Sequence, residues 1–569
     1  MKKILIFMML AASPSVLMCC SEKDSFEGTE GWTTDGNNPI GNGSSATTGE
    51  LATFDIVLDK TTPEPTEAAA ACFPDEEDML DNNVFSTEVT IDMSNPVAKT
   101  ENGVEVTVIG GHVTANHQDT KNVCYIVSGA TTNGSLTILG DKKYAVRLNG
   151  VSITNPDSAA LSLLSEKRAF VILDDGTTNT LTDGTGGTQK GALYCKGKLL
   201  FNGSGTLEVY GNYNNGIHSA DYIVFRKGNN IYAKSTANHG IKANDGIFIN
   251  GGIINVETTA EAAKGINCES HIIVNGGRTT VITTGNGTYD TTDKEAKGAA
   301  GIKADSTFTM NAGVVKLKSS GSGGKGLKAD CPSTINGGEL YVITTGSQYS
   351  SNGDTASPKG IKVDDNLTIN GGTIMVRTSG KNGEGIESKA ILTINDGTIM
   401  VSAYDDAINS AGDLYIKGGS VTAVGTQNDG IDSNGNMYIS GGTLIAYGAS
   451  GAEAGIDIDE RHKLYITGGN IFGIGGRIDG TLGSTSQGIV STTGSVQANS
   501  TVTISNGSTT LASFTMPPYT YNNGTIMVSA PNMKSGTSYT LSLGSTTQSV
   551  TASNSISSSM GGGFPGGHW

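Results

Sequence analysis

A Gly-Ile pair recurs through the middle of this chain at intervals of 22 to 36 residues, and this repeat limits the possible folds more than any other feature. The pairs and their two variants are Gly216-Ile217, Gly240-Ile241, Gly265-Ile266, Gly301-Ile302, Gly326-Leu327, Gly360-Ile361, Gly385-Ile386, Ala407-Ile408, Gly430-Ile431 and Gly455-Ile456. Each copy continues with short alternating apolar runs separated by Asp/Asn-rich and Asn-Gly-Gly segments, as in GIKVDDNLTINGGTIMVRTSG. Alternation with a period of two is typical of strands, and a repeat of this length is typical of a solenoid.

Three short strands and three turns fill one such repeat, and no stretch shows helical spacing with caps. Parallel strands of one sheet are connected by right-handed crossovers, so the repeat predicts an all-β, right-handed parallel β-helix with β caps at both ends. The 80 glycines among 569 residues agree with a chain of many tight corners.

The chain divides into six predicted segments. Residues 1–19 are predicted to be a lipoprotein signal peptide, because Lys2 and Lys3 precede an apolar run that ends at a Cys19-Cys20 pair. Cys20 is the expected lipidation site, with Cys19 as the alternative. The following Ser21-Glu22-Lys23-Asp24 resembles the acidic tag of surface-exported bacterial lipoproteins, which implies an outer-membrane lipoprotein exposed on the cell surface. Residues 20–50 are predicted to be a flexible tether, 51–130 an N-terminal β cap, 131–494 the β-helix, 495–555 a C-terminal cap or sandwich, and 556–569 a disordered Gly-rich tail.

The formal net charge of −17 argues against nucleic acid as a partner, since phosphate binding requires a basic surface. Cations are more plausible partners for such a chain. We expect the protein to be a monomer.

A lysine column is predicted on the outer side of the Gly-Ile strands, because side chains alternate across a strand and neighbouring coils lie about 4.8 Å apart. Lys303, Lys328 and Lys362 occupy equivalent positions in three consecutive repeats, and an Asp follows each one two residues later. One interpretation is a solvated ladder of ion pairs. The other is a row of ammonium groups that binds the carboxylates of an acidic polysaccharide, in a groove walled by the insertions at 284–299 and 346–359.

Carboxylates replace the lysines in the later repeats. The predicted metal ligands are Asp405, Asp406, Asp429, Asp432 and Asp457, with Glu384 and Glu387 one coil earlier. Like charges at strand spacing repel one another unless a cation lies between them. Hard oxygen ligands without His or Cys favour Ca²⁺ over zinc, while a bare solvated acidic face is the alternative.

Three tyrosines form a further predicted column, because Tyr415, Tyr438 and Tyr465 occupy the same position in successive repeats. Flat amphipathic rings suit the apolar faces of sugars, so these tyrosines are candidate carbohydrate ligands. A stacked ladder that stabilises the surface explains the same pattern equally well.

Several motifs together resemble a bacterial carbohydrate-binding β-helix family. They are NDGIDSNG, ISGGTLIAYG, GIDID, VRLNGVSITN, LDDGTTNTLTDG and the tail GGGFPGG, and the resemblance covers roughly residues 100 to 567. It implies a pectate-lyase-like solenoid, similar to family 9 pectate lyases, that carries calcium and binds cellulose-like or pectic (polygalacturonate-like) polysaccharide. This chain departs from the family pattern at Lys359-Gly360 and Glu384-Gly385, where Asp-Gly pairs are common.

Three functions remain possible from the sequence. A surface-anchored, calcium-dependent, non-catalytic polysaccharide-binding protein accounts for most features. A pectate-type lyase acting by calcium-assisted β-elimination also requires a base, and no catalytic residue is predicted because none is visible beside the acids. A structural adhesin would leave the acids without a role in glycan binding.

Overall fold

The computed structural model describes residues 54–555, and the regular secondary structure of this range is almost entirely β-strand. The parallel β-helix predicted from the repeat is therefore confirmed. Two short 3₁₀ helices occur in the described range, at Glu76–Asp78 and Leu80–Asn82. Within it, no helix has the length and hydropathy needed to cross a membrane. The predicted signal peptide, tether and tail, together with Cys20, lie outside the described residues.

Three columns of strands form the coils, and we call them faces one, two and three. Face one contains the Gly-Ile strands and has sixteen members, which pair in chain order. They are Lys99–Glu101, Val104–Ile109, His112–Asn116, Ser135–Leu139, Leu161–Leu163, Gly191–Cys195, Asn215–Ser219, Ile241–Ala243, Lys264–Cys268, Ala300–Ala304, Lys325–Ala329, Lys359–Val363, Glu384–Ser388, Ile408–Ser410, Ile431–Ser433 and Ile456–Ile458. The first three pair antiparallel, and every later pairing on this face is parallel.

Faces two and three are continuous, because the long strands Val123–Thr131 and Tyr144–Asn155 run across both. Face two comprises Thr87–Asp92, the first parts of those two strands, Ala169–Leu173, Leu199–Gly203, Tyr222–Phe225, Gly246–Ile249, His271–Val274, Phe308–Met310, Ser333–Ile335, Leu367–Ile369, Leu392–Ile394, Leu414–Ile416, Met437–Ile439, Lys463–Ile466 and Thr481–Thr485. Face three comprises Thr178–Asp183, Thr206–Gly211, Asn230–Ser235, Ile253–Thr258, Arg278–Thr283, Val314–Ser319, Glu339–Thr344, Thr373–Thr378, Thr398–Ala403, Ser420–Gly425, Thr443–Tyr447 and Asn470–Gly475.

The remaining strands lie outside the three faces. Two hairpins are formed by Thr288–Asp290 with Glu295–Lys297 and by Tyr349–Ser351 with Asp354–Ala356. At the C-terminal end, Tyr521–Ser529 pairs antiparallel with the last strand of face three and with Ile489–Val496. A separate antiparallel sheet contains Thr501–Asn506, Thr509–Thr515, Ser538–Leu543 and Thr546–Thr551.

Parallel coiling starts earlier than the boundary predicted at residue 131. Thr87–Asp92 already pairs parallel with Val123–Thr131, and His112–Asn116 pairs parallel with Ser135–Leu139. These early coils lack the Gly-Ile pair, so the repeat did not reveal them. Residues 54–86 lie against faces two and three, where Lys60 pairs with Glu208 at 2.9 Å and Asp78 accepts a hydrogen bond from Arg168 at 2.8 Å.

The Gly-Ile pair has a steric cause. The isoleucines stack in register along face one and are almost completely buried, as are the small residues two positions later. A Cβ at Gly326 would lie 2.1 Å from Cγ1 of Val342 on face three, and Gly265, Gly360 and Gly385 meet the equivalent valines in the same way. Only glycine therefore allows the start of a face-one strand to pass so close to face three.

Candidate functional site

The outer side of face one carries two charged columns. The first column holds the residue two positions after the Gly of each Gly-Ile pair. The second column holds the residue directly before that Gly. Along the solenoid, both columns change from lysine to Asp or Glu. Lys303, Lys328, Lys362 and then Glu387 are adjacent in the first column. Lys325, Lys359 and then Glu384 are adjacent in the second.

Internal carboxylates already pair with the three lysines predicted to bind carbohydrate. Lys303 pairs with Asp305 and lies 3.4 Å from Asp330. Lys328 pairs with Asp330 at 3.1 Å and with Asp364 at 3.3 Å, and Lys362 pairs with Asp364 at 3.0 Å. This zigzag is the ion-pair ladder that the sequence offered as one interpretation. These three lysines therefore contribute little uncompensated positive charge.

Two further lysines, which the sequence analysis missed, are not part of this ion-pair ladder. Lys264 and Lys325 stand directly before a Gly-Ile or Gly-Leu pair, and no ion pair to either is found among residues 54–555. The Lys264 ammonium donates to the carbonyl oxygens of Ala262 and Gly298, and that of Lys325 donates to the carbonyl of Gly323. Burial, together with neighbouring lysines, lowers the pKa of each to about 7.

The two hairpins explain this burial. They arise from the insertions at 284–299 and 346–359, as the sequence suggested, and a hydrogen bond from the Ala296 amide to Asp354 at 2.7 Å joins them. With face one as its floor, the space beneath them is a cleft of about 1010 Å³, which we call the face-one cleft. Eight lysines and eight Asp or Glu residues line it, so the lining is formally neutral in a chain of net charge −17.

Lys359 marks the change from the basic to the acidic half. It is buried and pairs with Glu384 at 2.5 Å and with Glu387 at 3.2 Å, while Lys389 also pairs with Glu387. Burial raises the pKa of Glu384 to about 7, whereas Lys359 and Lys389 outweigh the effect of burial at Glu387 and lower its pKa. The two glutamates predicted as metal ligands thus face lysines in this arrangement.

Four carboxylates follow on the same face, and we call Asp406, Asp429, Asp432 and Asp457 the acidic stack. Burial first, and neighbouring carboxylates second, raise the pKa of Asp432 to about 7. Burial likewise raises the pKa of Asp429 to about 8 and that of Asp406 to about 6. For Asp457 the pKa rises to about 6, through burial and the nearby Asp479.

Amide groups hold the acidic stack together. The side-chain amide of Asn409 donates to Asp406 and to Asp432, each at 3.2 Å. The backbone amide of Ala454 donates to Asp429 at 2.6 Å. Asp405 lies at the preceding corner and accepts a hydrogen bond from Asn428 at 2.8 Å. The carboxylates are of the type that calcium prefers, but within residues 54–555 no three His, Cys, Asp or Glu side chains converge in a metal-binding arrangement.

The three predicted tyrosines stack on one another. The ring centroids of Tyr415 and Tyr438 are 4.7 Å apart with an interplanar angle of 5°, and those of Tyr438 and Tyr465 are 4.8 Å apart at 7°. The backbone of Gly483 lies against the far side of Tyr465. Both faces of Tyr438 and Tyr465 are therefore covered, which favours the structural interpretation over sugar stacking.

Comparisons with known proteins point to carbohydrate-binding domains. A family described as "Carbohydrate-binding domain-containing protein" matches residues 109–264 and 319–406. A curated protein of the same description from Acetivibrio thermocellus is 31% identical over 120 residues, which are 19% of this chain and 42% of that protein. The chain thus spans less than half the length of this relative.

One solved structure is also similar, that of the polysaccharide lyase-like protein from C. thermocellum, determined as a gadolinium derivative. It is 16% identical, with a TM-score of 0.23, and the match covers 63% of this chain and 93% of that one. The family match includes the lysines of the face-one floor from Lys325 to Lys362 and also Glu384 and Glu387, but it ends at Asp406.

Proposed function

We propose that this protein is a non-catalytic polysaccharide-binding protein that holds an acidic polysaccharide in the face-one cleft. The observation that carries the proposal is the pair Lys264 and Lys325, two ammonium groups on the cleft floor with no carboxylate partner in the described part of the chain. A uronate carboxylate would supply the missing negative charge. The similarity to carbohydrate-binding domains supports a glycan over a protein as the partner.

The shape of the site suits a chain-like ligand. Equivalent residues repeat about every 4.8 Å along face one, so a polymer lying along the solenoid would meet similar groups at each coil. In the column of residues directly before each Gly, Ala300 lies between Lys264 and Lys325, so one coil separates the two lysines. The Lys-Asp pairs between them offer donors and acceptors to sugar hydroxyl groups. The proposed ligand is therefore a polyuronate of the pectic type.

Calcium is a second part of the proposal, and it concerns the acidic stack. Four carboxylates with raised pKa values would be stabilised in the ionised form by a divalent cation, and oxygen donors of this kind suit Ca²⁺. Asp406, Asp429 and Asp432 would hold the ion, after side-chain rotation brings their oxygens together. In this role calcium would stabilise the coils next to the cleft.

Surface anchoring is the third part. The sequence from Lys2 to Cys20 has the pattern of a lipoprotein signal, so we propose that lipid on Cys20 attaches the protein to the outer membrane. Metabolic labelling with a fatty acid would test this, with Cys20→Ala as the variant that loses the label and Cys19→Ala as its matched control.

A pectate-type lyase is the second candidate, and one observation favours it. A lysine whose pKa is about 7 is suited to act as a general base at neutral pH, and both Lys264 and Lys325 have this property. However, Lys325 lies three coils from the column position of Asp406, or about 14 Å along the solenoid. A cation in the acidic stack would be too far away to acidify a proton beside Lys325, so binding is the stronger proposal.

The test is electrophoresis of the purified protein through gels that contain polygalacturonate, together with ultraviolet absorbance of the same mixtures. We expect retardation without formation of an unsaturated product. The Lys264→Met/Lys325→Met double variant should lose most of the retardation, whereas Lys463→Met, an exposed lysine outside the cleft, should retain it. Increasing absorbance would instead establish a lyase, and retardation unchanged in the double variant would refute the role of the cleft.

A further inference from the structure

A second concave site lies nearer the C-terminal end of the solenoid than the face-one cleft does. It is a cavity of about 340 Å³ between the ends of strands Ser420–Gly425 and Thr443–Tyr447 and the segment that leads into Tyr521–Ser529. This volume is at the lower end of the range for small-molecule sites. We call it the tyrosine pocket, after Tyr447, Tyr519 and Tyr521 in its lining.

The lining has the composition of a site for an uncharged, amphipathic ligand. Among residues 54–555, no charged residue lines the tyrosine pocket, although the whole chain carries 91 charged residues, 37 basic plus 54 acidic. Besides the tyrosines, the lining includes the hydroxyl-bearing residues Thr426 and Ser450 and the exposed amide of Asn522. Aromatic rings next to neutral hydrogen-bonding groups match a pyranose, which has apolar C–H faces and a ring of hydroxyl groups.

The tyrosines are held in place by different contacts. The Tyr521 hydroxyl donates to the Ala449 carbonyl at 2.9 Å, and the hydroxyls of Tyr519 and Ser402 are 2.9 Å apart. Tyr447 and Tyr521 meet edge to face with centroids 6.2 Å apart. These tyrosines do not stack in parallel on one another, which distinguishes them from the ladder on face two.

Tyr447 is the most deeply buried of the three tyrosines. Its side chain is 2% exposed, and its hydroxyl is buried with no hydrogen-bond partner among the described residues. Because solvent does not reach this hydroxyl, a ligand in the tyrosine pocket would contact the more exposed Tyr519, Tyr521 and Asn522 instead.

We propose that the tyrosine pocket binds a neutral sugar unit, making this protein a binder with two sites of different chemistry. Polyuronate would occupy the face-one cleft, and an uncharged glycan the tyrosine pocket. The two sites use separate residues, and the tyrosine pocket contains no ionic group, so its binding should persist at salt concentrations that screen the cleft.

The test is affinity electrophoresis of the full protein in gels containing hydroxyethylcellulose, xylan or galactomannan, in 0.5 M salt, which we choose as roughly the level at which exposed charges are strongly screened. We expect retardation by at least one of these neutral glycans. Tyr519→Ala should weaken the dissociation constant about tenfold or more, as for an aromatic anchor. Ser402→Ala removes the hydrogen bond of Tyr519 but keeps its ring, so it is the matched control and should bind nearly normally.

Two further variants separate the sites and guard against misfolding. Asn522→Ala should weaken neutral-glycan binding while leaving the thermal unfolding midpoint nearly unchanged, because the Asn522 side chain is exposed in the lining. Lys264→Met/Lys325→Met should leave neutral-glycan binding intact even if polygalacturonate binding is lost. The proposal is overturned if no neutral glycan retards the protein, or if the retardation is the same in Tyr519→Ala and Asn522→Ala as in the unchanged chain.

Discussion

The Lys359 ammonium lies 3.2 Å from the Glu387 carboxylate, and this contact joins the basic half of face one to its acidic half. Both side chains are at most 9% exposed, so the pair is one of the few buried ion pairs on this surface. Lys359 stands where the resembled family often has an Asp-Gly pair. Lys359 therefore places a positive charge where the family pattern would place another carboxylate.

Replacing Lys359 with Met should therefore destabilise the protein strongly. Glu387 keeps Lys389 as a partner, but Glu384 loses its lysine, and breaking a buried pair in this way costs about 3 to 5 kcal/mol. Urea unfolding at neutral pH would measure the loss. Adding Glu384→Gln to Lys359→Met should restore part of the stability because the carboxylate left without its lysine is then gone. A double variant as unstable as the sum of the two single changes would show that the pair is not coupled.

Gly326→Ala should also reduce stability, here for a steric reason. The new Cβ would lie 2.1 Å from Cγ1 of Val342, and overpacking of this kind costs about 1 to 3 kcal/mol. Thermal unfolding would show the loss, and Val342→Ala in the same chain should recover much of it by making room. If the two changes together destabilise more than Gly326→Ala alone, the contact with Val342 is not the reason for glycine at this position.

The repeat predicted the fold and the columns because each inward residue and each corner is specified locally. The sequence could not predict the isolation of Lys264 and Lys325. Their burial depends on hairpins that fold over face one from insertions outside the repeat, and on Asp305 and Asp330 pairing with other lysines. For the same reason, the engagement of Glu384 by Lys359 one coil away was missed. The sequence predicted that the three tyrosines form a column, but it could not predict the orientation of their rings, which depends on the neighbouring rings.

Binding of polygalacturonate should weaken as the pH rises from 6 to 8.5. Burial lowers the pKa of Lys264 and Lys325 to about 7, so both are charged below this pH and lose their protons above it, while uronate carboxylates remain ionised throughout. A loss of two contacts of about 1 kcal/mol each corresponds to about a tenfold or larger change in affinity. Titration calorimetry across this range would measure it.

The matched control for this pH dependence is the Lys264→Met/Lys325→Met variant, whose weak residual binding should not change between pH 6 and 8.5. A profile in the unchanged chain that is equally flat would contradict the assignment of these two lysines to the site.

Tyr438→Ala should destabilise the protein and leave glycan binding intact. Tyr438 is the middle ring of the ladder, and its removal breaks two stacked contacts of about 0.5 to 1.5 kcal/mol each. Chemical unfolding and affinity electrophoresis of the same preparation would separate the two effects. Tyr519→Ala provides the comparison, since we expect the opposite result there. A loss of sugar binding in Tyr438→Ala without a loss of stability would restore the ladder as a sugar platform.

The acidic stack should make the protein less stable as the pH rises, and calcium should oppose this loss of stability. Burial and mutual repulsion raise the folded-state pKa values of Asp406, Asp429 and Asp432 to between about 6 and 8, above the usual value for an aspartate. The folded state therefore binds protons more tightly than the unfolded chain, and the resulting stability is lost as the pH rises through this range. In chelator, the thermal midpoint should be higher at pH 5.5 than at pH 8.5, and Asp429→Asn should reduce the difference. Calcium at pH 8.5 should raise the thermal midpoint of the unchanged chain more than that of Asp429→Asn, because the ion would replace the lost protons as the partner of the carboxylates. Equal increases in the two chains would mean that any calcium binds outside the acidic stack.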